Sequence, residues 1–150
     1  MTSHIADTHR RFLAPRRLLV VLGVLAGFSL GCFLASRTTV ANHLGYALPG
    51  PYGLPFRVPY AGRDYENSST CAGAGWCRGN GPPDCTTSDW FKTYGYWPLQ
   101  RVGWMWRLFV FPVSRYAVLR APTPAGMTTM GVYVKTGADC YIAYSLEGGP

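Results

Sequence analysis

The longest unbroken apolar run lies near the amino terminus. Residues 18–36, LLVVLGVLAGFSLGCFLAS, are nineteen positions whose only ionisable side chain is the thiol of Cys32. As a helix rising 1.5 Å per residue the run is about 28 Å long, close to the hydrocarbon thickness of a bilayer. Arg10, Arg11, Arg16 and Arg17 precede it, and Arg37 follows at once. The pattern predicts a transmembrane helix over 18–36 behind a basic tail over 1–17. Arg-rich flanks stay on the cytoplasmic side, so the tail is expected inside and the remainder outside the cell membrane.

After residue 37 the pattern changes. Residues 37–59 form a stem in which Pro49, Gly50, Pro51, Gly53, Pro55 and Pro59 favour extended or turning chain. Phe56 to Glu66, folded about Ala61-Gly62-Arg63, reads as a short hairpin. Ser88 is placed to cap one helical turn running through Lys92. Over 101–110, Val102, Trp104, Trp106, Leu108 and Val110 alternate with Arg101, Gly103, Met105, Arg107 and Phe109. Period two predicts a half-buried strand with the even face inward, which puts Trp104 and Trp106 in the core. Further strands are expected over 114–120, over 128–135 with Met130, Val132 and Val134 on one face, and over 140–146 with Cys140, Ile142, Tyr144 and Leu146 on one face. Turns fall at 121–126 and 136–139. The expected fold is mainly β: one N-terminal transmembrane helix, then a small antiparallel β domain over 60–150 with disulfides. It is a meander, curled into a sandwich or partial barrel.

Within the apolar run Gly23, Gly27, Gly31 and Ala35 recur every fourth residue and share one helix face. Small residues at this spacing let two membrane helices approach closely. The expected partners are therefore membrane lipid and, through the glycine face, a second copy or a partner membrane protein. A cleaved signal is the rival reading, with Thr39-Val40-Ala41 as a small-x-small site. The run is long for a signal, and an uncleaved signal anchor is the reading taken. Ser29-Leu30-Gly31-Cys32 sets Ser and Leu in the wrong places for a lipoprotein site.

Charge changes this picture little. The chain of 150 residues carries a formal +7, of which residues 1–37 hold +4 and the rest +3. Topology accounts for more than half of the excess. No Lys/Arg run or reader motif follows the helix, so no nucleic-acid partner is expected.

Cysteine usage adds more. Cys71, Cys77, Cys85 and Cys140 make an even count outside the membrane segment. The close spacings leave five and seven residues between neighbours, whereas zinc sites usually use pairs two to four apart. Two disulfides are expected in an oxidising compartment. Three connectivities are open, and the one preferred joins Cys77 to Cys85 and Cys71 to Cys140. Asn67-Ser68-Ser69 matches the glycosylation acceptor pattern.

Candidate chemistry is sparse. His4 and His9 flank Asp7 in the tail, and His43 stands in the stem. No Ser–His or Cys–His pair suggests a nucleophile. Asp64 and Glu66 share a strand face beside Arg63 and read as surface carboxylates. No catalytic residue, metal site or cofactor is expected. Aromatic residues stand out instead, since all five Trp and all ten Tyr follow residue 37. Flat rigid rings stack on proteins and sugars. Trp76, Trp90 and Trp97 are the expected ligand or partner surface. The reading is a membrane-anchored, extracytoplasmic accessory or protein-binding module that is not an enzyme. The alternative is a cell-envelope glycan-binding domain using surface Trp and Tyr. A small secreted hydrolase is the third reading, and the shortage of His counts against it.

Overall fold

A computed structural model describes residues 5–50, 52–76 and 84–148, with the main chain alone over 5–16. The chain divides into two units, Met1–Arg37 and Thr38–Pro150. Helix α1 (Ile5–Leu44) extends beyond the expected 18–36 at both ends. Residues 38–44 contain neither Pro nor Gly, so nothing stops the helix before Gly45. Over Arg17–Leu44 it is long and apolar enough to cross a membrane. Its large apolar side chains from Leu18 to Leu34 are all exposed.

Gly45 ends the helix. It takes a left-handed conformation, φ +75°, and its N–H donates to the Ala41 carbonyl at 2.9 Å. The N–H of Tyr46 donates to the same oxygen at 3.0 Å. Glycine adopts this conformation without the penalty a Cβ brings. A Cβ here would also stand 2.6 Å from Cδ of Pro59. One turn earlier, Asn42 is buried and works in both directions. Its Nδ2 donates to the Cys71 carbonyl and its Oδ1 accepts from the Phe56 N–H, each at 2.8 Å.

The second unit is a curled six-stranded antiparallel sheet, a half-barrel. Its strands are β1 (Arg57–Tyr60), β2 (Arg63–Glu66), β3 (Gln100–Arg107), β4 (Ser114–Arg120), β5 (Gly131–Lys135) and β6 (Tyr141–Leu146). The order across the sheet is β1-β2-β6-β5-β4-β3. Strands β3 to β6 form the expected meander, and the β1–β2 hairpin adds beside β6. Pro59 cannot donate a ladder bond, and it stands on edge strand β1, where that loss is tolerated. The other edge, β3, is covered by the chain leaving α1. The Ala47 N–H donates to the Trp106 carbonyl at 2.9 Å, and the Leu108 N–H donates to the Ala47 carbonyl at 2.8 Å. The inner face buries Val58, Met105, Val118, Val132, Val134 and Ile142 in one cluster. Tyr144 is enclosed there too. Its hydroxyl donates to the Pro55 carbonyl at 2.9 Å, and burial pushes its pKa well up.

Strand β3 corrects the expected phase. Arg101 pairs with Leu119 but Gly103 pairs with Val118, so Val102 is the extra residue of a β-bulge. Val102 packs against the core from the bulge. Beyond it the odd residues turn inward. Met105 is 2% exposed, whereas Trp104 and Trp106 lie on the surface. The even-face reading was broken by one inserted residue.

This phase predicts unequal stability effects. Met105→Ala should cost about 2–5 kcal/mol, as for other buried large-to-small changes. Trp104→Ala should cost about 1 kcal/mol, the scale of an exposed cation–π contact. Denaturant unfolding of the full chain in mild detergent reads both. A larger loss for Trp104→Ala would return the even face to the core.

Candidate functional site

The most elaborate surface is built around α2 (Ser88–Thr93), a helix of six residues. Such a helix is unstable alone, and the sheet holds it at several points. Thr86 and Tyr141 exchange N–H···O bonds of 2.9 and 3.0 Å. Directly beside them Cys85 and Cys140 are joined by a disulfide, with Cα atoms 4.9 Å apart across 55 residues of sequence. Asp139 Oδ1 accepts the Ser88 N–H at 2.8 Å. Ser88 is thus the first helical residue rather than the cap, and a carboxylate from the β5–β6 turn does the capping. The Ser88 N–H and hydroxyl hold the Asp139 carboxyl below the usual carboxylate range.

One face of α2 is sealed. Phe91 is 0% exposed and meets Tyr133 and Tyr141 edge-on, with ring centroids 4.7 and 5.4 Å apart. The opposite face carries rings into solvent. Trp90 lies 4.7 Å from Tyr94 and stacks on Tyr96 at 5.7 Å and 24°. Tyr96 reaches back because the helix ends in a Schellman motif. Its N–H donates to the Phe91 carbonyl at 2.8 Å, that of Gly95 donates to Lys92 at 3.3 Å, and Gly95 has φ +76°. The Lys92 ammonium stands 5.8 Å from the Trp97 ring and pairs with Asp89 at 2.9 Å. Trp90, Tyr94, Tyr96 and Trp97 are all exposed.

A second aromatic surface lies on the outer face of β3 and β4. The Arg115 guanidinium is 4.0 Å from the Trp104 ring and 5.7 Å from Trp106, and Arg101 is 4.7 Å from Trp104. The sequence reading missed this ladder because it assigned both Trp to the core. The sequence does hold a signal for it, since Arg115 opens the strand expected to pair with that of Trp106.

Of the three Trp residues expected to act together, Trp90 and Trp97 flank α2. Trp76 sits elsewhere, edge-on to Phe56 at 5.3 Å, in a shallow hollow with His43 and Arg57. The cysteine pairing differs from expectation. Cys140 joins Cys85, not Cys71, because the Thr86–Tyr141 bridge sets Cys85 beside it. Cys71 is disulfide-bonded as well, while Cys77 lies outside the described residues. Gly23, Gly27 and Gly31 have open space around an added Cβ. Asp64 and Glu66 do not turn to Arg63. Arg57 takes both, at 3.2 and 2.8 Å, together with Glu147 at 3.3 Å. The Glu66 hydrogen bond, reinforced by the other two carboxylates, raises the Arg57 pKa.

No protein-family model matches the chain, and no curated protein or solved structure matches it.

Two outcomes follow from this geometry. Peptide mapping without reductant should recover Cys85 linked to Cys140; a Cys71–Cys140 peptide would reject the bridge. Asp139 should titrate below 3.8, its ordinary value. Its bond to α2 is therefore lost as pH falls through that lowered midpoint. Ser88→Pro removes both donors, and Pro suits the first helical position. NMR titration of this variant should return the Asp139 midpoint to the ordinary range. An unchanged midpoint would locate the cause elsewhere.

Proposed function

We propose that this chain is a membrane-anchored binding module, not an enzyme, that presents the aromatic shelf on α2 to a protein partner outside the cell membrane. The apolar helix is the anchor in this reading, and the basic tail stays in the cytoplasm. The Cys85–Cys140 bond is in keeping with an oxidising compartment. The glycine face of the anchor, Gly23, Gly27, Gly31 and Ala35, is a place for close helix approach within the bilayer.

One observation carries the reading. Trp90, Tyr94 and Tyr96 form a stacked, exposed group on a helix that a disulfide, a carboxylate cap and the buried Phe91 hold in place. Several interactions fix the positions of these exposed rings. A preorganised aromatic surface loses little entropy on binding, and Trp and Tyr dominate binding hot spots. The carboxylates that might have served a hydrolase are tied to Arg57 instead.

The test compares the wild-type chain with Trp90→Ala and Tyr94→Ala in co-purification from native membranes in mild detergent. A hot-spot truncation costs about 2 kcal/mol or more, so retention of the partner should fall roughly 30-fold. Near-UV circular dichroism of the remaining rings checks that the fold persists. Equal retention by wild type and variants would reject the shelf as the binding face. Binding to isolated envelope polysaccharide, lost in the same variants, would favour the glycan reading.

A further inference from the structure

Residues 108–113, LFVFPV, connect β3 to β4. Their side chains divide sharply. Leu108 turns in and packs against Ala41, Leu48 and Ala72. Phe111 and Val113 turn out, 90% and 66% exposed. Taking such apolar side chains out of water is favourable. Within the turn Phe109 takes the left-handed conformation, φ +61°, where an aromatic residue rarely sits.

We propose that this turn enters the outer surface of the bilayer as a second foothold beside the anchor; the inference rests on the anchor reading. Chain connectivity limits how far apart the two can lie. Leu108 packs against the small cluster that includes Ala41, and Ala41 stands five residues after the apolar run ends at Ser36. Five residues span about 7.5 Å as helix and at most about 18 Å fully extended. The headgroup layer is roughly 5–8 Å thick on each side. From Leu108 the turn itself reaches on the order of 10 Å further to Phe111. The tip thus lies within reach of the acyl chains by covalent linkage alone.

Charge selects the same occupant. Residues 100–120 hold no carboxylate, and of their four arginines Arg107 and Arg115 stand at the turn end of the hairpin, Arg101 and Arg120 at the far end. At the root of the turn Trp106 faces Arg115 across the two strands, and both are exposed. A ring and a guanidinium behind an apolar tip match the order met on entering a membrane: phosphate and headgroup first, acyl chain beyond. The unit therefore offers a bilayer an apolar point with a cationic collar.

The test uses the full chain in vesicles of anionic phospholipid with acyl chains brominated to quench Trp emission. Phe111→Trp places a probe at the tip. Met127→Trp places one in the β4–β5 turn, at the far end of β4 and also exposed. The brominated lipid should remove most of the emission that Phe111→Trp adds over wild type, with a blue shift. It should leave the emission added by Met127→Trp intact. If the chain floats with the vesicles but both probes behave alike, the foothold is wrong and the anchor stands. If the chain does not float with vesicles at all, the anchor reading fails and the foothold with it. Quenching relieved by a co-purified protein would assign the tip to that protein instead.

Discussion

The fold depends on how the chain leaves α1. Gly45 turns it by a left-handed step so close to Pro59 that no side chain fits. Two residues later Ala47 is bonded to β3 through both its N–H and its carbonyl. An open edge of a curled sheet is a template for unwanted pairing. Here one edge is covered by the strap after Gly45, and the other is blunted by Pro59. Asn42 locks the arrangement by satisfying a carbonyl at Cys71 and an N–H at Phe56. Buried amide bonds of this kind are costly to leave half made. They fix where the last turn of α1 meets the sheet.

With the edges settled, the outer face becomes available for display. The six residues of α2 have no stability of their own to offer. Their position comes from outside: Asp139 at the N-terminus, Phe91 between two tyrosines, and Cys85 tied to Cys140. The aromatic shelf inherits the rigidity of the sheet beneath it. Rigid rings on a small domain make a better binding surface than the same rings on a free loop, because less freedom is lost on contact.

Charge is distributed in a way that the net value conceals. Asp64, Glu66 and Glu147 gather on Arg57 at the β1–β2 side, while β3, β4 and their turn carry Arg alone. The guanidinium groups of Arg101 and Arg115 stand over the Trp104 ring, and that of Arg115 also reaches Trp106. Cation–π contacts of this kind suit large apolar rings at a wet surface. One side of the sheet thus gathers carboxylates around a single arginine, and the other is cationic and aromatic.

Local pattern determined a good deal about this protein. The apolar run, the antiparallel meander over β3 to β6 and the turns between its strands follow from periodicity and from Gly and Pro placement, which act within a few residues. The need for disulfides was legible in the even cysteine count. Tertiary structure decided the rest. In β3 Trp104, Met105 and Trp106 are consecutive apolar residues, so the pattern marks a strand without saying which face is inner; the bulge at Val102 made that choice for Met105 over the tryptophans. The pairing of Cys140 with Cys85 rests on Thr86 meeting Tyr141, a contact between residues 55 apart that spacing cannot express. Trp76 parted from Trp90 and Trp97 for the same reason: nearness along the chain does not place side chains on one surface, and the sheet that does so is assembled from strands spread between Arg57 and Leu146.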